Sequence, residues 1–272
     1  MAWAGIEAGA YWAVFAIAFL AIATWETLQP LRSLSAPLSR RWSRQGILMV
    51  VGAALSAAVF RISPVILAWK LESSRYGVLN KAWAPQWIRG VIAVLILDFV
   101  RYAAHWCFHA IPWLWRIHQV HHSDPDFDAT TAGRFHPAEV VFTQGANMAA
   151  IALLAAPPLA VLILEVAIAF QSFFVHANAA LPKWAESLLR RVAITPALHR
   201  IHHSADAGDF NCNLGEVLCW WDRLLGTYLS ESHAGAAMTT GLNDYRDEKR
   251  LGVGFLLMLP FRRTPDRSAA AE

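Results

Sequence analysis

Five apolar runs punctuate this chain, and a chain that must hide so much hydrocarbon has few folds open to it. They cover residues 8–24, 47–69, 87–97, 140–156 and 159–175. Most approach the roughly 20 residues a membrane helix needs. In lipid every backbone N–H and C=O must find its partner inside the protein, which leaves helices as the natural reading of such runs. Pro157-Pro158 separates the last two and predicts a tight helical hairpin. The second run carries Arg61 and Pro64, so Arg61 must snorkel or find a partner. Composition agrees: 56% of residues are hydrophobic and 16% charged, against about 25% charged in a soluble domain. The 13 Trp suit a membrane–water boundary. The net charge of +3 gives no case for nucleic acid. The N-terminal run lacks a basic leader and a cleavage site and reads as a retained anchor. The expected fold is all-α: a membrane helical bundle of about four to five spanning or hairpin helices, with a histidine-rich helical cap.

Charge placement orients the bundle. Arg32, Arg40, Arg41 and Arg44 lie between the first two runs and put that loop in the cytoplasm by the positive-inside preference. Lys70, Arg75 and Lys81 would then be external. By counting crossings, all eleven histidines fall at or beyond cytoplasmic helix ends. The segment from Trp184 to Val192 reads as amphipathic, and the stretch from Thr264 to Glu272 reads as frayed. Cys107, Cys212 and Cys219 form no CxxC pair and are odd in number, so they read as small buried hydrophobes rather than a disulfide framework or thiolate site.

The histidines are clustered. His105 and His109 form an HxxxH box. His118, His121 and His122 form an HxxHH box, and His199, His202 and His203 form another. His176 and His136 stand nearby, while His233 sits among small residues and reads as solvated. On a helix, positions i, i+3 and i+4 share a face, so each box should converge its imidazoles. Asp98, Arg101 and Tyr102 share the face of His105, and Glu165, Ser172 and His176 share another. Ionisable groups at membrane depth are costly, which turns these stripes into the bundle. One tetrahedral zinc needs about four protein ligands, and ten candidate imidazoles match two metal ions better. The acids beside the boxes, Asp124, Asp126, Asp206 and Asp209, read as partners that orient ligand N–H groups. An all-nitrogen set suits Fe without excluding Zn or Cu.

At these residues the chain resembles the fatty acid hydroxylase/sterol desaturase superfamily of membrane di-iron proteins. The resemblance runs from about Asp98 to Tyr228. It rests on the segment Asp98 to His105, Leu114-Trp115, His118 to Ser123, and Arg134 to Glu139, which is similar to a His-Pro-x-Glu element. It continues through His176-Ala177-Asn178, Thr195-Pro196, His199 to Ser204, Asn211 to Gly215 and Trp221 to Tyr228. The resemblance implies two Fe ions, with Zn as a possible substitute, held by His105, His109, His118, His121, His122, His136, His176, His199, His202 and His203. Asp98, Glu165, Asn178, Asn211 and Asp222 are expected behind those ligands or in helix pairing. Some members carry a second histidine one turn beyond the position of His176; here it is Ala180, so His136 is expected to replace it or one metal to keep an open position.

The implied organisation is membrane helices over 1–86, a catalytic domain over 87–230 and a C-terminal tail over 231–272. The implied activity is O2-dependent hydroxylation or desaturation of a lipid C–H bond in a bacterial inner membrane, with the site on the cytoplasmic face. No nucleotide fingerprint is present, so electrons must come from a cytoplasmic donor, ferredoxin- or cytochrome-like. Two other readings stand beside it. A zinc membrane hydrolase would need a glutamate base as in HExxH, which no box contains. A metal transporter or haem carrier would place its ligands within the bilayer rather than at helix ends.

Overall fold

The computed structural model describes residues 2–262 apart from 73, 75 and 82. Arg75 and the stretch from Thr264 to Glu272 therefore lie outside the described residues. The chain is helical: α1 (Ala2–Leu28), α2 (Leu38–Phe60), α3 (Pro64–Glu72), α4 (Gln86–Ala110), α5 (Pro112–His122), α6 (Pro137–Leu154), α7 (Pro158–Val175), α8 (Lys183–Leu189), α9 (Pro196–His202), α10 (Trp220–Leu225) and α11 (Val253–Met258). Two isolated bridges are the only β contacts among the described residues.

Four segments are long and apolar enough to cross a membrane: Trp3–Leu28, Leu38–Glu72, Gln86–Ala110 and Pro158–Val175. The second is broken. Arg61 ends α2 in the left-handed region (φ 53°) and Pro64 restarts the helix as α3. Arg61 thus sits exposed at a helix end, its Nε donating to the Ala58 carbonyl, and has no need to snorkel from mid-helix. The run at 140–156 forms α6 but is not among those four. It carries Thr143, Gln144 and Asn147 and makes the expected hairpin with α7 through Ala155 (φ 48°) and the proline pair.

Contacts along the helices fix their sense. Phe15 and Phe19 of α1 meet Phe173 of α7, and just beyond both helices the Leu31 N–H donates to the Asn178 carbonyl. Gly52 and Phe60 of α2 lie against Val140 and Gly145 of α6, and the N–H groups of Val78 and Leu79 donate to the carbonyls of Leu153 and Leu154. So α1, α4 and α7 run toward one end of the bundle, while α2–α3 and α6 run away from it. At the far end Val65, Leu97, Ile151, Val161 and Leu164 form a packed core. At the near end α5, α9 and the loops make a cap. Residues 248–259 return onto it, burying Leu251, Leu256 and Leu259 against Leu48 and Val120, each worth about 1.5–3 kcal/mol where water is excluded.

Buried charge locks the cap to α2. The Arg41 guanidinium is 1% exposed and binds Asp124 through two 2.8 Å bonds, with Asp126 and Asp128 also paired to it. Arg44 pairs with Glu248. Two of the four arginines read from the sequence as setting the orientation are therefore ion-paired inside the cap. The expected amphipathic segment forms α8, which with α10 exposes Trp184, Leu188, Trp220, Leu224 and Leu225.

Candidate metal centre

Nine histidines converge at the near end of the bundle. His105 and His109 lie in the last turns of α4, because the i, i+4 spacing keeps them on one face. Pro112 starts α5 one residue beyond that helix and turns His118, His121 and His122 back over it. His176 caps α7. Thr195 caps α9 by accepting from the Leu198 N–H, and α9 presents His199, His202 and His203. The ligand atoms fall into two groups, each within 4.8 Å of one another. One is His105, His109, His118, His122 and His202; the other is His121, His176, His199 and His203.

Each HxxHH box is thus divided, and the expectation that its three imidazoles converge is corrected. The i, i+4 pair of the first box joins the group of five and its i+3 residue, His121, joins the group of four. The second box does the reverse: His199 and His203 join the four, and His202 crosses to the five. The cause is angular, since at 3.6 residues per turn the i+3 and i+4 positions diverge by about 100°. His122 and His203 stack at 4.5 Å and 15° where the groups meet.

The ring nitrogens show whether cations fit. His105 Nδ1–H donates to the Leu214 carbonyl at 2.8 Å, and His118 Nδ1 binds Glu139 Oε1 at 2.6 Å. A carbonyl only accepts, so the proton of neutral His105 is on Nδ1 and its Nε2 presents a lone pair. The His118 Nε2 stands 3.1 Å from it. About 3.0–3.3 Å is how far apart neighbouring nitrogens sit on one ion with bonds of about 2.0–2.1 Å. In the other group His176 Nδ1–H donates to the Ser172 carbonyl at 2.7 Å, and its Nε2 stands 3.3 Å from His121 Nε2 and 3.1 Å from His199 Nε2. Buried nitrogens of His109, His121, His122, His199, His202 and His203 have no hydrogen-bond partner. Burying so many unpaired polar atoms costs about 1–3 kcal/mol each, and metal ions would satisfy them. Burial holds His118 down to about 3 and His176 to about 4. It pushes His121, His122, His199, His202 and His203 well below the usual range, and neighbouring imidazoles push further. All stay neutral, the form a metal binds.

His136 is not brought to the cluster. It caps α6, with Nδ1 accepting from the Ala138 N–H and Nε2 3.3 Å from the Leu257 carbonyl, so both nitrogens are engaged elsewhere. Ala180 lies past the end of α7 in exposed irregular chain, and the group of four gains no replacement ligand.

The residues expected behind the ligands divide similarly. Asn211 Oδ1 lies 3.3 Å from His109 Nδ1. Asp222 acts one step removed: it accepts from the N–H groups of Leu214 and Gly215 and from Thr227, fixing the loop whose Leu214 carbonyl holds His105. That loop passes so close that a Cβ on Gly215 would meet the Leu218 carbonyl at 2.6 Å. Asp98 instead accepts from Trp221 Nε1 at 2.8 Å, pairing α10 with α4. Asn178 holds both backbone groups of Arg32. Glu165 lies two turns below Ser172 and makes contact with Glu7 rather than a histidine. Asp124 and Asp126 serve Arg41 and the chain at Ser35 and Ala36. Asp206 accepts from the Gly208 N–H, and Asp209 from Ser232 and His233. These four acids orient loops and arginines, not ligands, because the histidines turn inward and leave them outside. His233, expected to be merely solvated, is held by Asp209 at 2.7 Å while its ring stays 61% exposed.

Glu139 is the functional neighbour that residue spacing missed. It lies 21 positions from His118, and the His-Pro-x-Glu likeness was its one signal. The ring walls Phe127 and Phe135 gave none; Phe135 stacks on His121 at 4.2 Å and 12°.

The profile of the fatty acid hydroxylase family matches residues 90–227. The chain belongs to that family. Ornithine lipid hydroxylase OlsE of Rhizobium tropici is 31% identical over 217 residues, covering 78% of this chain and 62% of that protein. Human alkylglycerol monooxygenase is 28% identical over 159 residues, 58% of this chain and 34% of the relative. Human cholesterol 25-hydroxylase is 28% identical over 195 residues, 70% of each. The chain spans less than two thirds of the first two. No solved structure matches it. The match begins in α4 and ends just past α10, so it takes in all nine clustered histidines.

Proposed function

We propose that this chain is a membrane lipid hydroxylase in which the nine clustered histidines hold two iron ions, five ligands to one and four to the other. The observation that carries the reading is the close approach of Nε2 atoms at His105 and His118, repeated around His176, beside buried ring nitrogens with no hydrogen-bond partner. The named relatives act on ornithine lipids, alkylglycerols and cholesterol, which supports a lipid substrate. Bound iron would supply the O2-dependent oxidation of a C–H bond that side chains alone do not perform.

The protein's part is placement. Carbonyls of Leu214, Cys212 and Ser172 hold the Nδ1 protons of His105, His202 and His176, so each Nε2 points inward. Glu139 hydrogen-bonds His118 Nδ1 and orients that ring. Phe108, Ile168 and Val175 wall a cavity of about 90 Å³ that touches both groups. The site faces the cytoplasm in this reading, where a soluble donor delivers electrons, and residues 87–230 form the catalytic unit of a bacterial inner-membrane protein. The test is lipid mass spectrometry of cells expressing the chain under ¹⁸O₂. A lipid gaining one ¹⁸O, absent with His118→Ala, is expected; an unchanged lipid profile in air contradicts the reading.

A further inference from the structure

The histidine cluster meets two different surroundings. Eight of its nine residues are buried, and His109 alone among them is partly exposed. The cavity against the cluster is lined by His105, His118, His121, His176 and His199 and leaves His109 out. The exposed edge at His109 is therefore separate from the cavity that offers room for a substrate. The group of four has no such edge: Phe135 and Phe127 wall it.

The chain beside that edge is the turn at residues 205–212. Asn211 is exposed and brings its Oδ1 to 3.3 Å from His109 Nδ1. The rings of Trp115 and Phe210 flank the imidazole, with centroids 5.2 and 6.1 Å from it and 5.5 Å from each other. The turn is firmly held. The Asp209 N–H donates to the Asp206 carbonyl and the Cys212 N–H to the Asp209 carbonyl, while the buried Asp209 carboxylate accepts from Ser232 and His233. Ala205, Ala207 and Gly208 bring no long side chain to it, and Ala207 and Gly208 are exposed. Exposed Asn211 and His233 give this edge a polar rim, so it faces water rather than lipid. Small residues on a pinned turn let another molecule approach a ligand closely without moving anything aside.

Close approach is what electron transfer demands, because tunnelling slows steeply with distance. Electron-transfer encounters are also small, burying less than about 1,200 Å² in total, an area that one turn and its rim can offer. We infer that a soluble one-electron carrier protein docks on residues 205–211 and delivers electrons through the His109 edge, so that the group of five is reduced first while the lipid occupies the cavity side. This rests on the lipid hydroxylase reading and names where its electron donor lands. Each encounter oxidises the carrier by one electron and reduces one ferric ion to ferrous. Two encounters per turnover supply two electrons, which with two protons from solvent carry one oxygen atom of O2 to water as the other enters the lipid. Donor and substrate thus use separate entrances and need not exclude one another.

The test places a ruthenium tris-bipyridine photoreductant on the turn, through Ala207→p-azidophenylalanine, or elsewhere on the cap, through the same replacement at exposed Lys249. The iron-loaded, detergent-purified protein is flashed under argon, each excited ruthenium gives up one electron, and loss of ferric absorption is timed. Reduction is expected to be at least about tenfold faster from position 207 than from position 249, at equal iron content. Equal rates, or a faster rate from 249, overturn the inference. A second arm tests the landing face with the cell's own donor. Ala207→Trp adds bulk there without touching a ligand. It is expected to cut ¹⁸O incorporation into lipid at least about fivefold, with iron content and reduction by dithionite unchanged, while Lys249→Trp alters none of these. A folded, iron-loaded Ala207→Trp protein with full ¹⁸O incorporation overturns the inference; if that variant does not fold, the flash comparison decides. Slow reduction from 207 beside a clear ¹⁸O-labelled lipid sinks this inference alone, and fast reduction from 207 with no labelled lipid sinks the hydroxylase reading alone.

Discussion

The two histidine groups use one sequence device and hold it by different means. Each takes an i, i+4 pair from one HxxHH box and a single crossing histidine from the other. In the group of five, His105, His109, His118 and His202 are each fixed from behind by a hydrogen bond, to Leu214, Asn211, Glu139 and Cys212. In the group of four, His176 alone has such a bond, to Ser172. His121, His199 and His203 are held by aromatic walls: Phe135 stacks on His121, and Phe127 lies beside His176, His199 and His203. A hydrogen bond fixes a ring's tautomer and raises its basicity, whereas a ring wall fixes only its tilt. The group of five should be the tighter and more rigid site, and the group of four the one with room for an exogenous ligand.

The crossing histidines give the largest test of that division. His202→Ala and His121→Ala should each cost activity at least about a hundredfold and remove about one ion per chain, read by elemental analysis, with membrane insertion intact. An active, fully loaded variant would break the assignment. Acid comes next. His118 and His176 are held near 3 and 4 by burial, against about 6.5 when unfolded. The unfolded cap therefore binds protons that the folded one excludes. Stability is complete above about pH 6.5 and falls as the pH drops toward those folded values. Melting followed by circular dichroism should show it, together with metal release over the same window.

Smaller effects separate the two means of support. Glu139→Gln should weaken metal retention about 10–100-fold, chiefly at the group of five, read by chelator competition. Asn211→Leu should act at the same group and by less, because its contact is long and single. Phe127→Leu should leave the group of five untouched and loosen the group of four by a few fold. If Phe127→Leu and Glu139→Gln release the same ion, the contrast between the groups is wrong.

The histidine boxes were legible because metal ligation demands residue types that packing does not supply, at spacings that only a helix aligns. Their division was not. Local spacing says that His118, His121 and His122 are near one another, but where each ring points depends on how Pro112 turns α5 onto α4, a tertiary fact. The acids beside the boxes misled for a related reason: Asp124 is close to His122 in sequence, yet its charge answers Arg41, 83 positions away. The supports from Leu214 and Cys212 are backbone carbonyls and leave no trace in residue identity. Among the helices, apolar runs foretold the bundle, and Arg61 and Pro64 marked the break in the second span. The run forming α6 reads as lipid-facing in composition, although its polar positions Thr143, Gln144 and Asn147 line a cavity.

The central claim is two ions in one histidine cluster, and metal content tests it most directly. Protein purified from membranes, reconstituted with ferrous iron and desalted without oxygen should carry two iron atoms per chain by inductively coupled plasma mass spectrometry. One atom, or none, would contradict the account.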